Sequence, residues 1–204
     1  MSEPEVQFTV AITVYKTEHF LPHAVQTVMA QTMTDWEIRI YSDGRSSKSE
    51  FVARQLEGRM PVHYKRIPRR RGAYGNRLRR IALEESRGTH VCYLGHDCLL
   101  YPAYLEAHAR NIAGRKDALS VVPVAYWKKY VLRRGQPAAT DLMALGEGEI
   151  DLLSIAYPRE LALELGCFGP DMERRRCADF LAYDRLRHRT PPIFKPMPEQ
   201  AAHF

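Results

Sequence analysis

The sequence predicts an α/β domain with a mixed, mostly parallel central sheet flanked by helices, and three observations carry that prediction. First, the chain opens strand–helix–strand. FTVAITVY, from Phe8 to Tyr15, is rich in β-branched residues. Glu18 to Gln31 sets Phe20, Leu21, Ala24, Val25, Val28 and Met29 at helical spacing, and WEIRIY, from Trp36 to Tyr41, then runs into Ser42-Asp43-Gly44. Second, the later apolar run Val91 to Leu94 breaks at Gly95 into His96 and Asp97. A polar turn just past a strand's carboxyl end is where an open α/β sheet places ligand chemistry. Third, the 204 residues contain no internal repeat and no linker, which fits one sizeable domain over 1–204.

The remaining elements follow in order. Ser46 to Leu56 fits a helix, Val62 to Ile67 a short strand, and Leu78 to Ser86 a helix that Gly88 ends before the strand of Val91. After Pro102 a helix runs to about Ala113. LSVVPVAY, Leu119 to Tyr126, reads as one strand whose Pro123 marks an edge or a bulge. Trp127 to Ala139 reads as a basic hairpin or loop, and Met143 to Ile150 as a mobile connection. Leu152 to Tyr157 reads as a short strand, and Pro158 to Leu165 as a helix begun at proline. Gly166 to Gly169 is a turn, Arg176 to Arg187 the last helix, and Thr190 to Phe204 a proline-rich tail.

Composition narrows the class. Hydrophobic residues at 45% and charged residues at 26% are those of a soluble globular protein. The net charge of +6 favours an anionic partner: a phosphate-bearing small molecule, nucleic acid or a membrane surface. The four cysteines show no CxxC spacing, and Cys92 lies inside an apolar strand, which suits a reduced core thiol. The polar MSEPEVQF start does not resemble a signal peptide, and no apolar run approaches the ~20 residues of a membrane span. A cytoplasmic setting is expected, without an integral membrane segment.

Two stretches carry candidate chemistry. In GHD, Asp97 is a hard oxygen donor suited to a divalent metal, with the His96 nitrogen beside it. The alternative is a turn chosen for backbone geometry. In RIPRRRGAYGNRLRR, Arg66 to Arg80, arginine forks suit phosphate and glycines admit a close ligand. One reading is a diphosphate-binding loop involving Arg71, Asn76 and Arg79. A second is an RNA patch in which Tyr74 stacks on a base, and a third is a solvated basic face.

Four windows together resemble the family 2 inverting glycosyltransferases of the GT-A, Rossmann-like fold. VAITVYKTEHFLPHAVQTVMAQTMTDWEIRIYSDGRSS is similar to that family's first strand, helix and nucleotide-contacting second strand. RLRRIALEESRGTHVCYLGHDCLLYP is similar to its central helix, strand and Asp-x-Asp metal site. ELALELGCFG is similar to the helix and Gly-Phe turn behind the acceptor site, and CADFLAYDRL to the helix that opens with the catalytic base. The resemblance implies a nucleotide-binding half at about 6–102, an acceptor half at about 103–190 and a tail at 190–204.

It also implies roles, position by position. Thr13, Val14 and Tyr15 would meet the nucleotide at the first strand's end, and Asp43 would contact the nucleoside. Asp97 would ligate Mn²⁺ or Mg²⁺, His96 would ligate it too or bond a phosphate, and Asp179 would be the catalytic base. The implied partners are a nucleoside diphosphate sugar, with a UDP-sugar as the expected donor, and a saccharide or other hydroxyl acceptor. No nucleic acid is expected, and a homodimer is left open. Several positions depart from the pattern: Ser42, Gly95, His96 and Ala178 stand where acidic residues are usual, and Lys16 where asparagine is. His188 and His203 lie where related enzymes sometimes supply a late ligand. Three readings therefore stay open: an active transferase, a degenerate nucleotide- or glycan-binding member, and an RNA-binding module. Asp179 would have an ordinary N-cap role if the resemblance did not apply.

Overall fold

The computed structural model describes residues 6–15, 18–44, 47–56, 61–68, 74–128, 131–133, 142–198 and 200–203. The six-stranded main sheet has the order β3-β2-β1-β4-β9-β6. Its first four members are parallel: β1 (Val6–Val14), β2 (Trp36–Asp43), β3 (Val62–Ile67) and β4 (Gly88–Gly95). β9 (Ile155–Pro158) runs antiparallel to both β4 and β6 (Ser120–Val121).

Helices cover both faces because the strands alternate two apolar sets. On β1, Phe8, Val10, Ile12 and Val14 face one core, shared with α1 (Leu21–Met29), α2 (Ser47–Leu56) and α4 (Tyr104–Ile112). Ala11 faces the other core, as do Val91 and Tyr93 of β4. That core is shared with α3 (Asn76–Glu85), α5 (Arg159–Glu164) and α6 (Ala178–Arg187). Tyr93, Tyr157 and Phe168 meet edge-to-face in it, with ring centroids 5.2–5.6 Å apart.

The expected mixed α/β sheet is present, with differences in several places; the expected strand Leu152 to Tyr157, for one, is a 3-10 turn as far as Ser154 and a strand only from Ile155. LSVVPVAY is not one strand. It breaks at Val122-Pro123 into β6 of the main sheet and β7 (Val124–Lys128) of a second sheet. Proline donates no backbone hydrogen bond, so the chain changes sheets there, with the Pro123 carbonyl accepting from Gln200 N–H at 2.8 Å. The proline-rich tail holds a strand, β10 (Ala201–His203). It lies between β5 (Cys98–Leu100) and β7 in the small sheet β5-β10-β7-β8, where β8 is Val131–Arg133.

The 143–150 connection is anchored rather than loose. Leu142, Leu145 and Ile150 are buried, and Arg187 donates to the carbonyls of Met143 and Leu145 at 2.9 and 2.6 Å. The last helix begins at Ala178, with Cys177 at its cap, so Asp179 is inside the first turn and is not the N-cap. The four cysteines are free. Among the described residues no helix is long and apolar enough to cross a membrane.

Candidate functional site

The strand order reverses between β1 and β4, since β2 and β3 lie to one side of β1 and β4 to the other. Loops leaving the two strands separate there and open a crevice at their carboxyl ends. Register places the expected residues along that edge: Thr13 pairs with both Tyr41 and Gly95, Val14 pairs with Ser42, and Asp43 pairs with Ile67. Tyr15 follows directly and is 40% exposed.

His96 ties the turn after β4 to the end of β1. Its Nδ1 lies 3.2 Å from the Thr13 carbonyl oxygen. A carbonyl can only accept, so Nδ1 carries the proton, and in the neutral ring Nε2 has the lone pair. Asp97 is half-buried beside it. Gly95 explains the shape of this turn. A Cβ added there would come within 2.8 Å of Asp97 Oδ1 and 2.9 Å of Cys98 Sγ. The Asp97 carboxylate therefore fills the space of the side chain that Gly95 lacks. Burial, with Asp97 next to it, pushes the Cys98 thiol up, so it stays protonated and donates weakly to Asp97 Oδ1 at 3.7 Å. The metal-ligating groups of this turn are thus one carboxylate oxygen donor and one imidazole nitrogen, and among the described residues no three such side chains cluster. Such a pair would suit a divalent ion only with further oxygen ligands from outside the protein.

Asp179 is half-buried at the start of α6, where Oδ1 accepts the Phe180 N–H at 2.9 Å. The helix dipole suggests an easily ionised carboxyl, but the net effect here is the reverse. Burial raises its pKa, and Asp151 raises it further, against the Phe180 hydrogen bond and the Arg79 charge. Arg79 lies close by on α3. Burial lowers its pKa, and Asp179 is the foremost charge opposing that. Its NH1 donates to Asn76 Oδ1 at 2.6 Å. Among the described residues the buried Arg79 Nε and Tyr157 hydroxyl have no hydrogen-bond partner.

Asp151, which caps a short 3-10 turn by accepting Leu153 N–H at 2.7 Å, ties the two regions together. Its charge is felt by Cys98 on one side and by Arg79 and Asp179 on the other. Sequence reasoning missed Asp151 and Tyr157. A lone hydroxyl in the apolar stretch IAYP was the available signal for Tyr157.

Asn76 is fully buried, and its amide nitrogen is spent on the carbonyls of Met172, Glu173 and Arg175 at 3.1, 3.3 and 2.8 Å. It braces the loop before α6 and is not turned toward the crevice. Arg71 lies outside the described residues, as do Lys16 and the side chain of His203. The main chain of position 203 pairs with Cys98, next to Asp97. His188, by contrast, sits at the far end of α6.

Comparison with known proteins bears on what this crevice serves. The family model for Glycosyl transferase family 2 matches residues 9–159. The chain belongs to that family. An uncharacterized glycosyltransferase of Rickettsia typhi is 28% identical over 114 residues, 56% of this chain and 34% of the relative. The putative glycosyltransferase EpsH of Bacillus subtilis is 28% identical over 117 residues, 57% of this chain and 33% of EpsH. This family 2 chain thus spans about a third of the length of the curated relatives it matches. Among solved structures, S. aureus TarS 1-349 in complex with UDP-GlcNAc superposes with a TM-score of 0.74 at 12% identity, over 96% of this chain and 58% of that one. GalNAc-T7 with UDP, GalNAc and Mn²⁺ gives 0.69 at 16%, over 99% and 44%. At those identities the likeness establishes the GT-A fold of this family 2 member.

Proposed function

We propose that this protein transfers a sugar from a nucleoside diphosphate sugar, a UDP-sugar, to an acceptor hydroxyl with inversion at the anomeric carbon. The observation that carries this reading is the strand reversal in a family 2 chain, which gathers Thr13–Tyr15, Asp43 and His96–Asp97 along one edge of the sheet. Nucleotide-bound relatives of the same fold support a UDP donor.

In this reading Tyr15 and Asp43 hold the nucleoside, and His96 and Asp97 face the diphosphate. Asp97 and His96 would hold Mn²⁺ or Mg²⁺, which supplies Lewis-acid stabilisation of the departing diphosphate. Asp179 takes the proton of the acceptor hydroxyl as that oxygen bonds to the anomeric carbon. The bond from that carbon to the diphosphate oxygen breaks in the same displacement. A carboxylate made more basic by burial is the stronger proton acceptor. Arg79 keeps the Asp179 charge tolerable in its enclosed surroundings.

The test combines calorimetric titration of UDP, with and without Mn²⁺, with turnover of UDP-sugars. UDP binding together with turnover that Asp179→Asn reduces by about 10²-fold or more, at unchanged UDP affinity, supports the reading. Absence of UDP binding refutes it. A second reading, nucleotide or glycan binding without turnover, is favoured by a specific feature. Ser42 and Ala178, which replace usual acids, are 2% and 0% exposed, so these sites are closed to a carboxylate as well as uncharged. UDP binding with no turnover of any sugar donor would select it.

A further inference from the structure

We propose that the acceptor carries an anionic group, a phosphate or a carboxylate, near the hydroxyl that is glycosylated; this rests on the transferase reading above. Arg174, Arg175 and Arg176 are consecutive, exposed, and immediately precede the helix whose first turn holds Asp179. The attacking hydroxyl must touch Asp179, so groups flanking that hydroxyl pass this loop.

The loop is a built feature rather than a loose surface run. Three of its carbonyls turn inward onto the Asn76 amide, which directs the arginine side chains outward. Its own acid, Glu173, is buried, and the preceding Asp171 is engaged by Arg185. Among the described residues no carboxylate forms an ion pair with any of the three arginines.

The Arg176 guanidinium lies 5.4 Å from the ring centroid of Tyr74, a residue in the left-handed region with φ 46°. The Tyr74–Gly75 turn and the arginine loop therefore meet as one surface. Arg77 extends it toward β3 by donating to the Pro68 carbonyl at 3.1 Å. A neutral acceptor gains nothing from this unneutralised cationic loop, whereas guanidinium forks match phosphate and carboxylate oxygens. The donor diphosphate is an insufficient explanation, because its expected edge is that of Asp43 and His96–Asp97 while the loop is continuous with Asp179.

The experiment measures binding of glucose, glucuronic acid and glucose 6-phosphate to the UDP-saturated protein by saturation-transfer NMR. It uses the wild type and the Arg174→Gln/Arg175→Gln/Arg176→Gln triple variant. The expected result is binding of one or both anionic sugars at least tenfold tighter than glucose, with that advantage gone in the variant and UDP affinity unchanged. It should also fade between about 50 and about 500 mM salt, as exposed charges require. Glucuronic acid against glucose 6-phosphate separates a carboxylate from a phosphate requirement. No preference for either anion, or a preference that survives in the triple variant, overturns the inference while leaving the transferase reading in place. Failure of UDP itself to bind overturns both.

Discussion

Replacing Glu37 with Gln should remove one defined part of the acid sensitivity of this fold. Glu37 is on β2, away from the crevice, with its side chain fully buried. It accepts hydrogen bonds from Thr9 Oγ1 at 2.7 Å, Arg39 Nε at 2.9 Å, and both the backbone N–H and Nε of Arg87 at 2.8 Å. Burial alone would raise its pKa. The bond from Arg39, then those from Arg87 and Thr9, outweigh burial and bring it from 4.5 down to about 2. The ionised carboxylate thus contributes about 3 kcal/mol at neutral pH, at ~1.4 kcal/mol per unit.

A depressed folded-state value means that this stability is present above pH ~4.5 and is lost as pH falls through ~2. Linkage leaves about 1 kcal/mol of it at pH 3. Glu37→Gln puts an amide N–H₂ among donors and leaves Arg39 and Arg87 without their anion. We expect about 3 kcal/mol of destabilisation at pH 7, a fall in Tm of about 6–12 °C, and a gap to wild type that shrinks to about 1 kcal/mol at pH 3. Urea denaturation at the two pH values measures both. A gap that is the same at pH 7 and pH 3 would refute the assignment of the stabilisation to the Glu37 charge.

Three further outcomes are expected. Asn76→Ala removes three bonds to the 172–175 carbonyls and should cost about 2 kcal/mol in denaturant titrations, while tryptic cleavage at Arg174–Arg176 accelerates. Gly95→Asp, which restores a usual acid, should weaken Mn²⁺-linked UDP binding by calorimetry, because its Cβ would displace Asp97 Oδ1; it should also cost about 1–3 kcal/mol. Ala201→Asp places an unpaired carboxylate at a fully buried position between Leu100 and Val124, and should lower stability by about 3 kcal/mol or more in urea.

By itself the sequence determined the order and kind of the main elements. The β-branched content of FTVAITVY and the 3.6-residue spacing after Glu18 are local patterns, and they read directly into β1 and α1. The break at Gly95 marked a strand end for the same reason, so His96 and Asp97 could be singled out as candidates. Boundaries moved by a residue or two where neighbours extended an element, as when β2 continued to Asp43 because it pairs with Ile67 of β3.

Tertiary structure alone decided the rest. Pro123 divides one apolar run between two sheets because Ile155 and the tail compete for its two halves. Residues 201–203 become a strand by pairing with β5 on one side and β7 on the other, since so short a segment has no local pattern that would make it extended by itself. The closeness of Arg79, Asp151 and Asp179, and the Asn76 brace on the arginine loop nearly a hundred positions away, follow from packing α3 against α5, and α5 against α6, in the one core beside β4. Such contacts carry no local period. They exist only once the core between those helices and the sheet has closed.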